Sequence, residues 1–459
     1  MAQFLDFDQE LIKKYDKAGP RYTSYPTAPQ FSADYTEETL KQCIERSNKE
    51  MIPRPLSLYV HIPFCDTICY YCACNKIITK NHAVSAEYLA LLDKEMALLA
   101  PLFDHDRQLE QLHLGGGTPT FLNDDELMQL MQMIDRHFTV SADCEKSIEI
   151  DPRKVSDDTI RLLAKIGFNR ISLGVQDFDE RVQKAVNRLQ SYELVRDRLN
   201  TAREVGIKSI NMDLIYGLPF QSVETFSQTL DKVIELRPDR LSIFNYAHLP
   251  ERFKPQRRIE EEDLPSSAEK LNIFNLTMNK LQEAGYIYIG MDHFALESDS
   301  MVRAQEEGTL HRNFQGYSTH ADTDLVAIGV SSIGSVCDSY SQNSSDIDEY
   351  RKSLQAGHLP IVRGLIMSDE DSLRKEVINQ LICHFRLDIK SLEAEWQIDF
   401  QQYFSSELEE LQGMVEDGLV KIDDRVIEVQ PRGRLLIRNI CMVFDAYLRN
   451  NVVKFSKVI

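Results

Sequence analysis

The chain has 459 residues, 43% hydrophobic and 27% charged, an ordinary globular composition in a length too great for one hydrophobic core. Its 52 basic and 72 acidic side chains leave a formal charge of −20, which excludes unaided binding to nucleic acid. No uncharged apolar run approaches the ~20 residues of a membrane span, and Met1 to Asp8 lack signal-peptide character, so a cytoplasmic location is expected.

Residues 1–35 are irregular and rich in tyrosine and proline, as in Gly19-Pro-Arg-Tyr-Thr-Ser-Tyr-Pro-Thr27. They are expected to form an arm or lid. From about 56 to 250 strand and helix patterns alternate, which argues a parallel sheet with crossover helices. Strands are predicted at Leu56–Ile62, Gln111–Leu114, Ser147–Asp151, Arg170–Gln176, Ser209–Ile215 and Arg240–Tyr246. Asn123-x-x-Glu126 has the form of a capping box and marks a helix start.

Directly after the first strand comes Cys65-x3-Cys69-x2-Cys72-x-Cys74. Thiolates packed this closely suit an iron–sulfur or other soft-metal centre. Structural zinc sites usually pair two separated Cys or His doublets, and no second doublet follows. A Cys-x3-Cys-x2-Cys loop wraps three ligands round one [4Fe–4S] cube and leaves the fourth iron open. The other five cysteines are scattered and read as small buried hydrophobes of a reducing compartment.

The second strand ends in Gly115-Gly116-Gly117-Thr118-Pro119-Thr120. Glycines there let backbone approach a polar ligand, although a plain turn explains a triple glycine equally well. Period-two alternation gives the strands one polar face. Tyr59 and His61 share it in the first strand, Glu149 and Asp151 in the third, Ser172, Gly174 and Gln176 in the fourth, Asn211 and Asp213 in the fifth. A parallel sheet covered on both faces reads as nearly continuous apolar residues, so this register points to a ligand-filled concavity. The simplest architecture is an open or partial barrel with its site at the carboxyl ends of the strands.

Beyond about 365 the pattern becomes helix, helix, hairpin, helix: 370–385, 405–416, Leu419–Ile422 with Val426–Val429, and Gly433–Asn450. This has a winged-helix-like form. Residues 401–430 carry eight acidic and two basic side chains, which rules out a DNA role. The expected division is therefore an arm over 1–35, a partial-barrel domain with extension over 36–365, and a mostly helical cover domain over 366–459.

With its glycine loop, Cys65-x3-Cys69-x2-Cys72 resembles the radical S-adenosylmethionine (SAM) enzymes. A narrower resemblance rests on His61-Ile-Pro-Phe-Cys65, Cys72-Ala-Cys74-Asn75-Lys76, Ile215-Tyr-Gly-Leu-Pro219, Phe244-Asn-Tyr-Ala-His-Leu-Pro250, Gly290-Met-Asp-His-Phe294 and His311-Arg-Asn-Phe-Gln-Gly-Tyr317. Together with Pro20–Ala28 and Gly433–Met442, these are similar to the oxygen-independent coproporphyrinogen III oxidases.

That resemblance implies an α/β fold, a partial (β/α)6-type radical SAM barrel with the arm and a winged-helix-like carboxyl-terminal domain. It implies Cys65, Cys69 and Cys72 as ligands of a [4Fe–4S] cluster, with Cys74 beside it either idle or an alternative ligand. Two SAM molecules are implied, touching Tyr59, Tyr71, Gly116, Gly117, Thr118, Glu149, Gln176, Arg188, Asp213, Ala247 and Ile333. Glu149 and Asp213 suit ribose hydroxyls and Arg188 suits a carboxylate. Tyr71 either meets adenine or packs within its loop. Tyr59, His61 and Glu149 are the candidate catalytic residues, His61 near a sulfide or substrate carboxylate unless it is a satisfied core histidine.

The implied reaction turns two propionates of coproporphyrinogen III into vinyl groups, giving protoporphyrinogen IX for haem synthesis. A 5′-deoxyadenosyl radical starts it, and a low-potential electron donor protein is the implied partner of a monomer. Arg21 and the Arg252–Arg258 stretch are candidate cations for the propionates, with Tyr22 and Tyr25 expected against the macrocycle. Competing readings are a haem-binding chaperone of the same branch, a radical SAM methyltransferase-like enzyme, and a zinc-stapled protein.

Overall fold

The computed structural model describes residues 5–15 and 17–449. The chain divides into two compact units, each assembled from separated segments: 31–266 with 322–366, and 1–30 with 267–321 and 367–459. This differs from three consecutive domains, because 267–321 joins the arm and the carboxyl-terminal segment, while 322–366 returns to the barrel sheet.

In the larger unit seven neighbouring strands run parallel, in the order Asp324–Ile328, Leu56–Ile62, Leu109–Gly116, Val140–Ile150, Arg170–Gln176, Ser209–Tyr216 and Arg240–Asn245. Antiparallel strands Ile333–Val336, Ser339–Asn343 and Ile361–Ile366 extend the sheet beyond Asp324–Ile328. Helices such as Ala83–Leu99, Asp124–His137, Asp157–Lys165, Tyr192–Glu204 and Val223–Leu236 connect the parallel strands. The result is the partial (β/α)6-type barrel expected, with a mixed extension.

Alternation decides which face is core. Ile171, Leu173 and Val175 are 2% exposed or less, as are Ile210, Met212 and Leu214. Their neighbours Ser172, Gly174, Gln176, Asn211 and Asp213 are only partly covered. The capping box is present: Asn123 Oδ1 accepts from Glu126 N at 3.0 Å, and Asn123 N donates to Glu126 Oε2 at 2.9 Å.

The second unit contains helix Ser267–Glu283, the hairpin Tyr286–Gly290 with His293–Leu296, the ribbon His311–Asn313 with Gly316–Ser318, and the carboxyl-terminal elements. Helices Asp369–His384 and Ser405–Glu416 flank a three-stranded sheet in the order Arg386–Asp388, Val426–Val429, Val420–Ile422. That is a winged-helix-like arrangement with one more strand than the sequence announced. The last predicted helix is shorter than Gly433–Asn450: a 3-10 turn at Arg434–Leu436 leads into Ile437–Val443. Asp445 then folds the backbone back on itself, its Oδ1 accepting from Tyr447 N at 3.0 Å. Asn450 lies outside the described residues.

Tyr22 and Tyr25, expected to face a macrocycle, are 3% and 2% exposed within this unit. Tyr22 Oη donates to Asp445 Oδ2 at 3.0 Å, and Tyr25 Oη accepts from Ala446 N at 3.2 Å. The arm is part of the carboxyl-terminal core, because two large aromatic rings gain more from burial there than from solvent.

Candidate functional site

The carboxyl ends of the parallel strands carry the predicted residues. Glycine shapes the floor. Gly117 N donates to Ile62 O at 2.8 Å and Thr118 N to Phe64 O at 2.9 Å, pinning the glycine loop under the cysteine loop. A Cβ on Gly117 would lie 2.7 Å from Pro63 O, and one on Gly116, whose φ is +115°, 2.8 Å from the His61 ring. Neither position accepts a side chain.

Above this floor, Cys65 Sγ lies 3.3 Å from Thr118 Oγ1. Cys69 Sγ is 3.5 Å from Arg188 Nη1 and 3.8 Å from Arg153 Nη2. Lys76 Nζ donates to Cys72 O at 3.0 Å and Cys74 O at 3.3 Å. Cys74 hydrogen-bonds the Cys72 sulfur and, with Lys76 beside it, lowers that thiol to about 6 against the opposing effect of burial. Two guanidiniums thus stand beside the Cys69 sulfur and Lys76 beside Cys72, while burial raises the Cys65 thiol to about 11.

Tyr59 Oη meets His61 Nδ1 at 3.0 Å, and His61 Nε2 meets Asn75 O at 3.1 Å. A carbonyl can only accept, so Nε2 carries the proton and Nδ1 accepts from the tyrosine. Burial lowers the His61 pKa and favours the neutral ring. Both nitrogens of His61 thus have partners inside the chain. His113, which sequence reasoning passed over, stacks on Tyr59 at 5.8 Å and places Nε2 3.6 Å from Glu149 Oε1. Its position two residues before Gly115, in the polar register, was the available signal. Glu149 Oε2 accepts from Gly116 N at 3.2 Å.

Asp213 accepts from Ser172 Oγ and Asn211 Nδ2, each at 2.8 Å. Burial raises it to about 6. Asp151 is gripped by Arg153 Nη2 at 2.6 Å and Arg188 Nη2 at 3.4 Å. Burial pushes Asp151 upward, but these two guanidiniums hold it below the usual carboxylate range. Arg153 was also missed, although it lies only two residues beyond the recognised polar strand end. Gln176 adopts φ +67° at the end of its strand, and its Oε1 is buried without a partner, as is Arg188 Nε. Ala247 lies two residues beyond strand Arg240–Asn245, and Ile333 opens strand Ile333–Val336.

Tyr70 and Tyr71 pack against Val182, Val186, Leu218, Tyr246 and Ile259, which is the loop-packing alternative for Tyr71. The Arg252–Arg258 stretch touches this loop through Gln256 and Arg258, while its arginines stay exposed. Arg258 Nη1 donates to Tyr70 Oη at 3.1 Å, and Arg257 Nε to Pro250 O at 3.0 Å. Gln256, 1% exposed, joins Tyr71 O at 3.1 Å to Leu249 N at 2.6 Å.

The model of the radical SAM superfamily matches residues 59–233, and that of the HemN C-terminal domain matches 367–436. An oxygen-independent coproporphyrinogen III oxidase of Pseudomonas aeruginosa is 52% identical over 462 residues, covering all of both chains. The chain belongs to the oxygen-independent coproporphyrinogen III oxidase family. Its relative from Escherichia coli is 49% identical over 460 residues, again covering all of both chains. The solved structure of that bacterium's coproporphyrinogen III oxidase (HemN), described as a radical SAM enzyme, superposes with a TM-score of 0.92 at 48% identity. It covers 97% of this chain and 100% of the other.

Membership in this family makes the chain a radical SAM oxidoreductase of porphyrin synthesis, and implies a [4Fe–4S] cluster and SAM. The residues present fit both groups. Three thiols share one loop, with Lys76, Arg153 and Arg188 beside it, and thiols packed this closely suit an iron–sulfur centre. The partnerless Arg188 Nε and Gln176 Oε1 are donor and acceptor left over for a polar ligand. Among the described residues, no helix is long and apolar enough to cross a membrane.

Proposed function

We propose that this chain oxidatively decarboxylates two propionate side chains of coproporphyrinogen III to vinyl groups, yielding protoporphyrinogen IX without oxygen. Each event removes carbon dioxide, one hydrogen atom and one further electron from the substrate. The observation that carries the reading is the meeting of the cysteine loop with the strand ends: Cys65 on the Thr118 hydroxyl, Cys69 on Arg188, and Glu149 on the Gly116 amide.

In this reading Cys65, Cys69 and Cys72 hold the cluster, which when bound supplies the electron that splits SAM into methionine and a hydrogen-abstracting 5′-deoxyadenosyl radical. The chain supplies position. Gly116 and Gly117 bring backbone against the ligand's polar end, and Thr118 keeps its hydroxyl on Cys65. Arg188 presents a guanidinium to a carboxylate. Glu149 and Asp213 accept hydrogen bonds from ribose hydroxyls. Tyr59 lies against His113, and through His61 its hydroxyl is tied to the loop carbonyl of Asn75. Tyr71, Gln176, Ala247 and Ile333 complete the wall for two SAM molecules. His61 then acts by holding Tyr59 and the loop, since its nitrogens are already engaged.

A cytoplasmic monomer served by a low-potential electron donor protein completes the proposal. An anaerobic assay of the reconstituted protein with reductant, SAM and coproporphyrinogen III tests it. Protoporphyrinogen IX and carbon dioxide are expected at two molecules of the gas per porphyrin. Stable haem binding with no decarboxylation would select the chaperone reading instead.

A further inference from the structure

Four of the sequence motifs that the SAM site does not use come together inside the unit formed by 1–30, 267–321 and 367–459. They are Pro20–Ala28, Gly290–Phe294, His311–Tyr317 and Gly433–Met442. Arg438 draws the arm in, donating from Nε to Pro20 O at 3.0 Å and from Nη2 to Gly19 O. That fixes Arg21, whose Nη1 pairs with Asp292 Oδ2 at 3.1 Å and whose carbonyl accepts from Arg312 Nε at 3.4 Å.

Arg312 is the unusual member. It is 7% exposed, its guanidinium lies 4.7 Å from the centre of the Tyr317 ring, and its Nη1 is buried with no hydrogen-bond partner. A guanidinium nitrogen sealed from water without an acceptor is costly. Unlike Arg312, Arg21 has a route to solvent, with 36% of its side chain exposed against 16% for Asp292. Burial, and then Arg312 and Arg21 against the opposing charge of Asp292, hold His293 at about 4, so that its ring stays neutral. In a chain of charge −20 this concentration of cationic groups is not a general property of the surface.

We propose that Arg312 and Arg21 form a carboxylate-binding subsite that receives a propionate of the porphyrinogen, with Arg438 as the positioning residue that holds the arm in place. Planar guanidiniums match a carboxylate fork to fork, and an incoming carboxylate completes the bonding of Arg312 while competing with Asp292 for Arg21. This subsite deepens the decarboxylase reading and rests on it.

The test compares wild type with Arg312→Gln, Arg312→Lys and Arg21→Gln in the anaerobic assay, with binding of coproporphyrin III followed by its fluorescence. Loss of a charged hydrogen bond predicts KM and Kd for the tetracarboxylate raised roughly ten- to hundredfold. Iron content, SAM affinity and kcat at saturation should hold, and Arg312→Lys should recover part of the loss. Should Arg312→Gln fail to fold, Arg21→Gln at the exposed edge and Arg312→Lys read the same parameters. Unchanged KM and Kd in these variants, beside an active wild type, would overturn the subsite. An inactive wild type would instead overturn the decarboxylase reading, and porphyrin binding would still report on the arginines.

Discussion

Arg188 stands between Cys69 and Asp151, with Nη1 3.5 Å from the sulfur and 3.5 Å from Asp151 Oδ2. Its Nη2 is anchored on Gly174 O at 2.6 Å, and a Cβ on Gly174 would come 2.9 Å from that nitrogen. One guanidinium thus links the cysteine loop, the third strand and the fourth. Arg188→Lys keeps the charge but loses the planar fork. SAM affinity should fall about tenfold or more, as measured by anaerobic equilibrium dialysis, with cluster iron retained.

Asp213 gives a pH prediction. Its folded pKa is raised to about 6 by burial, above the unfolded value of about 3.9. The folded state then holds more protons than the unfolded state between these values, so stability falls as pH rises from about 4 to about 6. Above that window the full cost remains. Asp213→Asn keeps both neighbours bonded and should stabilise the fold at pH 7.5 by on the order of 1 kcal/mol, partial exposure screening the charge. Thermal melts of both proteins at pH 4.5 and 7.5 should converge at the lower pH. SAM affinity should drop in the variant.

Gln256 is the hidden brace of the cysteine loop. Gln256→Leu leaves the part-buried Tyr71 carbonyl and Leu249 amide without this partner, at a cost of about 1 kcal/mol in denaturant unfolding. The reconstituted cluster should bleach faster under a chelator than in wild type. An unchanged bleaching rate would show that Arg258 and Asn187, which donates to Ile68 O at 2.7 Å, suffice to hold the loop.

Tyr22→Phe removes the donor to Asp445, a carboxylate 2% exposed. Loss of about 1–2 kcal/mol of stability is expected. Removing residues 1–30 should lower the melting temperature of the whole chain, since it takes Tyr22 and Tyr25 out of a core. A truncated protein that melts like the full chain would mean the arm is a separable lid after all.

Strands Leu56–Ile62 and Arg170–Gln176 match their predicted bounds because apolar alternation runs through their whole length. The third strand begins at Val140, seven residues earlier than expected, over a polar stretch from Ser141 to Lys146. Backbone pairing holds it at its two ends, Val140 to Leu109 and Glu145–Lys146 to Gln111–Leu112, with a register irregularity between, and such pairing leaves no side-chain pattern. Polar register likewise exposed Glu149, Gln176 and Asp213, and it could have exposed His113.

From the order of residues alone came the three-sulfur loop, the glycine floor and the polar strand ends, since each depends on spacing of a few positions within one element. Folding alone decided that Arg188 meets Cys69, that Gln256 braces Tyr71, and that Arg21 meets Arg312. These pairs are separated by 119, 185 and 291 positions. No local periodicity encodes such contacts. They are set by which crossover brings which strand end to the same rim, and by the burial of tyrosines that turned an expected lid into part of a core.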